Sequence, residues 1–253
     1  MNRRSERRLK FSLIIPSWND ADNLAALLPS LRKIDNPPEI VVVDATQDRQ
    51  SEKITVAAGA IFISSSNANR GEQLNRGAHA TTGDVLIFHH ADTQLHAAHL
   101  AGLEAALLEA PEVIGGAFYR KFDGRHPHLD FLERAARFLN QHGGTFYGDQ
   151  SVFVRRQIFF DLGGFATIPL MEDVEFSRRL RGAGKTIVLG PALESSPRRH
   201  LQKGPWRTTI QNGLLILLYK LGVSPHRLHR WYYRGRRSTT SAGKPRPEPI
   251  TSE

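Results

Sequence analysis

Between Phe11 and Phe122, short β-branched or apolar runs alternate with segments that repeat leucine at helical spacing. Phe11–Ile15, Glu39–Val43, Ala60–Ser64, the run from Val85 to Phe88 and Val113–Phe122 read as strands. Leu24, Leu27, Leu28 and Leu31, then Gly71–Thr81, then Leu100, Leu103 and Leu107, read as helices between them. Such alternation predicts an α/β fold with a mostly parallel central sheet flanked by helices. The Val85–Phe88 run is continuously apolar, as a parallel strand buried on both faces requires.

Several of these runs stop at polar residues. The first leads into Pro16-Ser17-Trp18-Asn19, the second ends at Asp44, and the stretch LIFHHADT carries His89, His90, Asp92 and Thr93 at its end. In an open parallel sheet the carboxyl ends of the strands gather along one edge, and ligands bind in the crevice outside it. One polar strand end alone is commonly a turn or a helix cap; several together favour a site. His90 and Asp92 are two apart and project to one side if the strand geometry continues, which suits a metal ion or a polar loop. His89 faces the other way and reads as structural.

Hydrophobic residues make up 40% of the 253, enough for a sizeable core. The absence of cysteine excludes disulfides, zinc–thiolate sites and thiol nucleophiles. The apolar run before Pro16 is too short for a signal-peptide core, which predicts a mature cytoplasmic chain. The net charge of +9 is concentrated in Arg3, Arg4, Arg7, Arg8 and Lys10, and again between Arg198 and Arg237. Nucleic acid, an anionic membrane surface or an anionic substrate such as a nucleotide diphosphate would each account for it.

The second half is less regular. Leu132, Ala135, Ala136 and Leu139 form a helical stripe, and HGGTFYGDQSVFVRR is glycine-rich and then strand-like. MEDVEFSRRLRGAG is a helix opened by acids and closed by glycine, and Lys185–Leu189 is a late strand. Trp206, Ile210, Leu214, Leu217 and Leu221 line one face of a long amphipathic helix. Trp231-Tyr232-Tyr233 then sits among Lys220, Arg227, Arg230, Arg234, Arg236 and Arg237. That segment suits a membrane interface, or equally a helix packed on the domain with its basic residues outward. From Gly235 onward the composition is that of a disordered tail, and no run is long enough to span a bilayer.

From residue 11 to about 190 the chain resembles the family-2 glycosyltransferases of the GT-A fold. The likeness rests on Pro16 to Asn19 after the first strand, Asp44 at the end of the second, Arg70-Gly71, Asn75-Arg76-Gly77, Gly83-Asp84, His90-Ala91-Asp92 at the place of the family's Asp-x-Asp, and Glu172-Asp173. These motifs stand in the family's order. Two departures are a shorter loop after Asp44, read here as DATQD, and His90 where the family has its first metal-motif aspartate. A compact bacterial branch with a His-Ala-Asp motif also shares Gly148-Asp149-Gln150, Phe153–Arg156 and Pro169–Asp173. It includes enzymes assigned to arsenosugar biosynthesis and is related to carotenoid-acid glycosyltransferases. The resemblance places a catalytic domain at 11–200, and composition sets off a basic arm at 1–10, a basic helical segment at 201–234 and a disordered tail at 235–253.

It also implies inverting transfer of a sugar from a nucleotide diphosphate sugar, most often a UDP-sugar, to a small-molecule or lipid hydroxyl. A manganese or magnesium ion bridging the phosphates would stabilise the leaving group. Asp92 suits direct ligation, and His90 either touches the metal or hydrogen-bonds the ribose. Arg198, Arg199 and His200 follow the last strand and would close over the diphosphate, His200 completing the metal shell. Pro16, Trp18, Asp44 and Arg70 fall on the nucleotide side, although Trp18 could equally be core. Asp173 is the expected general base, Glu172 its neighbour that orients the acceptor or holds a backbone amide, and Asp149 the next acidic candidate. A pair of acids at a helix start also stabilises the helix without any catalysis.

Two other classes compete. A sugar-nucleotide nucleotidyltransferase shares the architecture, but PSWNDADN lacks the glycine-rich, Arg- and Lys-bearing loop expected after its first strand. A non-enzymatic basic protein explains the charge and leaves the strand-end acids unexplained. Nucleic acid is therefore not the expected partner; a membrane surface on the inner face of the cell remains one.

Overall fold

The computed structural model describes residues 8–46, 49–122, 127–141, 143–195 and 205–234. In chain order the elements are β1 (Phe11–Ser17), α1 (Ala21–Arg32), β2 (Glu39–Asp44), α2 (Gln50–Ala57), β3 (Ile61–Ser64), α3 (Arg70–His79) and β4 (Val85–Phe88). There follow β5 (Thr93–Gln94), α4 (Ala97–Glu109), β6 (Val113–Phe122), α5 (Pro127–Gln141), a 3-10 turn at Gly148–Gln150 and β7 (Val152–Arg155). Then come α6 (Arg156–Asp161), α7 (Glu172–Ala183), β8 (Lys185–Ser195), α8 (Pro205–Lys220) and α9 (Pro225–Arg234).

The strands form one eight-stranded sheet in the order β3-β2-β1-β4-β7-β6-β8-β5. β1 pairs in parallel with β2 and β4, β2 with β3, and β6 with β8. β7 runs against both β4 and β6, and β5 against β8. Register then decides what meets at the edge. Ser17 lies opposite Asp44, Phe88 opposite Val152, and Gly116 opposite Phe153. The ends of β1, β2, β4 and β6 and the start of β7 therefore share one edge.

Alternation along the strands fills a core on each face of the sheet. Leu13, Ile15, Val42, Ile87 and Phe153 pack with leucines of α1 and α4 on one side. Ile14, Leu86, Phe88 and Val154 pack with Leu74, Phe159, Phe165 and Phe176 on the other. Gly77 lets α3 lie close on β1: a Cβ there would sit 2.3 Å from the Ile14 side chain. A separate cluster joins Met171 and Val174 at the start of α7 to Leu215 and Leu228 of α8 and α9.

The C-terminal segment departs from the single long helix expected. It is two helices, because Gly222 at φ 89° closes α8, with the Val223 amide donating to the Leu218 carbonyl, and Pro225 opens α9. The stripe of Ile210, Leu214, Leu217 and Leu221 is also the outward face: these side chains are 66%, 40%, 54% and 72% exposed, while Leu215 is buried. In α5, Leu139 is likewise exposed, together with Phe131 and Phe138. Among the described residues, no helix is long and apolar enough to cross a membrane.

Candidate functional site

The edge begins at the paired ends of β1 and β2. The Ala45 amide donates to the Ser17 carbonyl, and Gln73 on the buried side of α3 donates its amide to the carbonyls of Ser17 and Val43, both at 2.8 Å. Asp44 is fully buried. Its carboxylate accepts from the Thr46 amide at 3.1 Å and the Thr46 hydroxyl at 2.9 Å, which closes a local turn. Thr46 Oγ1 in turn accepts from the amide of Asn19, which occupies the left-handed region at φ 55°. Asp44 therefore acts from behind this loop, and Thr46 and Asn19 stand in front of it. Pro16 and Trp18 are half-buried on the same rim.

The end of β4 carries two histidines in opposite settings. His89 is fully buried; its Nε2 lies 3.0 Å from the Thr93 carbonyl and its Nδ1 2.6 Å from Ser151 Oγ. A carbonyl only accepts, so Nε2 bears the proton and Nδ1 accepts from the serine hydroxyl. Burial lowers the pKa of His89 to about 4, so the ring is neutral at neutral pH. It ties the loop His90–Thr93 to the segment entering β7. His90 and Asp92 face outward on the same rim, His90 Nδ1 lying 4.0 Å from Asp92 Oδ1.

The third part of the edge is the start of α7 against the 3-10 turn. Met171 precedes the helix at φ 73°, a conformation a side-chain-bearing residue adopts only when its surroundings impose it. It sets the direction of Glu172, which is buried, and of Asp173, which is half-exposed. Asp173 accepts from the Gly148 amide at 2.9 Å and from the Val174 amide at 2.8 Å. The Glu172 carboxylate stands 3.7 Å from Arg70 Nε. Arg70 lies flat on Gly148, where a Cβ would come within 2.3 Å of the guanidinium. Asp149 forms a close ion pair with Arg120 from the end of β6. Burial and then the charges of Asp173 and Asp149 raise the pKa of Tyr147, so its hydroxyl keeps its proton.

The fold thus brings together Arg70, Asp149, Glu172 and Asp173, places His90 and Asp92 on the adjoining rim, and sets Pro16, Trp18 and Asp44 at the far end. Arg198, Arg199 and His200 lie outside the described residues. Sequence reasoning missed Arg120, Tyr147, Gln73, Thr46 and the link from His89 to Ser151. Arg120 alone had a signal, a cation near the end of a strand.

A divalent ion takes oxygen ligands, and one or two carboxylates with a diphosphate complete its shell. Among the described residues, no three His, Asp or Glu side chains come close enough to cage an ion. Asp92 with His90 forms a two-donor rim, which fits an ion held chiefly by a bound diphosphate and water. Chemically, the edge offers carboxylates able to accept a proton beside cations able to hold phosphate.

Residues 12–165, well over half of the chain, match the family described as glycosyl transferase family 2. No curated protein matches the chain in sequence. Among solved structures it is similar to a mannosyltransferase from Pyrobaculum calidifontis in complex with GDP-Man and Mn2+. The TM-score is 0.65 at 19% identity, covering 90% of this chain and 70% of that one. It is also similar to S. aureus TarS residues 1–349 in complex with UDP-GlcNAc, with TM-score 0.61, 19% identity, and 74% and 58% of the two chains covered. Glucosyl-3-phosphoglycerate synthase from Mycobacterium tuberculosis, in complex with Mn2+, UDP and glucosyl-3-phosphoglycerate, matches at TM-score 0.53 and 19% identity. There 74% of this chain and 70% of that one are covered. The chain thus spans only part of the length of each.

Proposed function

The chain belongs to glycosyl transferase family 2, and from that premise we propose an inverting transfer of a sugar from a nucleotide diphosphate sugar, with UDP-sugars the first donors to test, to an acceptor hydroxyl. It is a glycosyltransferase with the GT-A fold. The observation carrying the finer reading is the gathering of Asp92, Asp149 and Asp173 with Arg70 and Arg120 along one strand edge.

In this reading Pro16, Trp18 and the Asp44–Thr46 turn hold the nucleotide, with Arg70 toward its phosphates. Asp92, with His90 either beside it on the ion or on the ribose, holds a divalent ion. When bound, that ion neutralises charge on the departing diphosphate. Asp173 takes the proton from the acceptor oxygen as it attacks the anomeric carbon, and the bond to the nucleotide diphosphate breaks. The Gly148 amide holds Asp173 in position, Arg120 holds Asp149, and Glu172 and Asp149 orient the acceptor. A panel of nucleotide sugars with Mn2+ identifies the donor by thermal shift. NMR of the first product then reads the stereochemistry: inversion of the anomeric centre is expected, and retention would contradict an aspartate acting as base.

The exposed face of Ile210, Leu214, Leu217 and Leu221, with Trp231 and the arginines of α9, supports peripheral attachment to an anionic membrane surface. Sedimentation with anionic vesicles should retain the full chain and release it as salt rises. Leu217→Asp with Leu221→Asp should abolish retention; undiminished retention would move the contact elsewhere.

A further inference from the structure

A cavity of about 530 Å³ is lined by the turn between α8 and α9, by α7 and by Gly143, Gly144 and Thr145. Arg178 and Arg181 reach its wall from α7 and Lys220 from the last turn of α8; among the described residues no carboxylate lines it. The Arg181 guanidinium lies 3.9 Å over the Phe146 ring and donates to two neutral oxygens, the Asn140 carbonyl at 3.0 Å and Thr186 Oγ1 at 3.3 Å. Its Nε is buried without a hydrogen-bond partner among the described residues. Neither Arg181 nor Lys220 has a carboxylate within ion-pair distance among the described residues. Arg178 touches Glu175 at 3.5 Å, but Glu175 is already held at both oxygens by Arg179. Ser177 accepts from the Phe146 amide, so its own hydroxyl remains a donor on this wall.

Like charges gathered around a concavity repel one another, and an anion seated among them relieves that repulsion. A volume of this size exceeds what a bare phosphate fills and matches a small organic ligand. We infer that the cavity is a binding site for a phosphate-bearing ligand, distinct from the nucleotide edge. The fork of Arg181 and the movable heads of Arg178 and Lys220 suit phosphate oxygens. Val174, the residue after Asp173, forms part of the same wall, so occupancy would brace the helix that carries the candidate base. This inference does not rest on the proposed sugar transfer.

The phosphate could belong to a free metabolite or to a lipid headgroup, and the test separates the two. Glycerol 3-phosphate and inorganic pyrophosphate are titrated calorimetrically into the full chain without divalent metal. Vesicles of phosphatidylcholine with and without phosphatidic acid form the second arm. The variants are Arg178→Ala/Lys220→Ala, both exposed residues, and Lys33→Ala/Lys53→Ala, which removes equal charge at exposed residues outside the cavity. A soluble source predicts saturable binding of glycerol 3-phosphate or pyrophosphate, weakened roughly 10-fold or more in the first variant and unchanged in the second. A lipid source predicts phosphatidic-acid-dependent retention with the same selectivity. No saturable binding in either arm, or equal losses in the two variants, would overturn the inference. Retained UDP binding in the first variant with Mn2+ supports the separation from the nucleotide edge, and its loss would refute that separation.

Discussion

The two ends of the strand edge use the same kind of residue in opposite ways. Asp44 is sealed from solvent and its carboxylate is engaged by Thr46, so it shapes a loop. Asp173 and Asp149 are half-exposed, each fixed by a single neighbour from another element, Gly148 and Arg120. A carboxylate that builds a turn needs local donors within its own loop. One that handles a proton must be held from elsewhere and left open to a substrate. In the proposed reaction the difference separates scaffold from chemistry along one edge, and it can be broken by mutation.

The largest effect is expected at Asp173. Asp173→Asn keeps the shape and the bond from Gly148 but removes the basicity, so turnover should fall roughly 100- to 10,000-fold with donor affinity preserved. Asp44→Asn should do the reverse, lowering stability and donor affinity by about 1–3 kcal/mol while leaving turnover of bound substrate near normal. If both variants shift turnover alike, the contrast between the two ends is lost.

Next in size is the buried histidine between them. His89 is neutral in the folded chain with a pKa of about 4, below its ordinary value of 6.5. Its contribution to stability is therefore complete above about pH 6.5 and is lost as pH falls toward 4, by up to about 3 kcal/mol. In denaturant titrations the advantage of the wild type over His89→Leu should shrink from pH 7 to pH 4.5. A constant difference would mean that the ring is not held as the neutral acceptor of the Ser151 proton.

The smallest effect sharpens the role of Glu172. It is buried beside Arg70 and takes no proton in this account, so Glu172→Gln should reduce turnover only several-fold, mainly through the acceptor's KM. A loss as deep as that of Asp173→Asn would exchange their roles.

Much of this was legible in the residues. The strand Val113–Phe122 has the boundaries read from the sequence, and the strands read as ending in polar groups do end along one edge of the sheet. What could not be read depends on register or on competing faces. Arg120 meets Asp149 only because β6 and β7 run antiparallel, with Gly116 opposite Phe153. His89 sits beside Ser151 for the same reason, through β4 and β7. In α8, residues Leu214 to Leu218 are all apolar, so periodicity shows a helix without showing which face is buried. Asp44 was recognised as a strand-end acid, but Thr46 two residues on decides where its carboxylate turns.

The account depends most on Asp92 holding the diphosphate end of the nucleotide through a divalent ion. Calorimetry of UDP with the full chain, with and without Mn2+, tests this on the wild type, Asp92→Ala and Asp173→Asn. Mn2+ should strengthen UDP binding to the wild type and to Asp173→Asn, and this gain should vanish in a folded Asp92→Ala. An undiminished Mn2+-dependent gain in Asp92→Ala would contradict the placement of the metal rim at the end of β4.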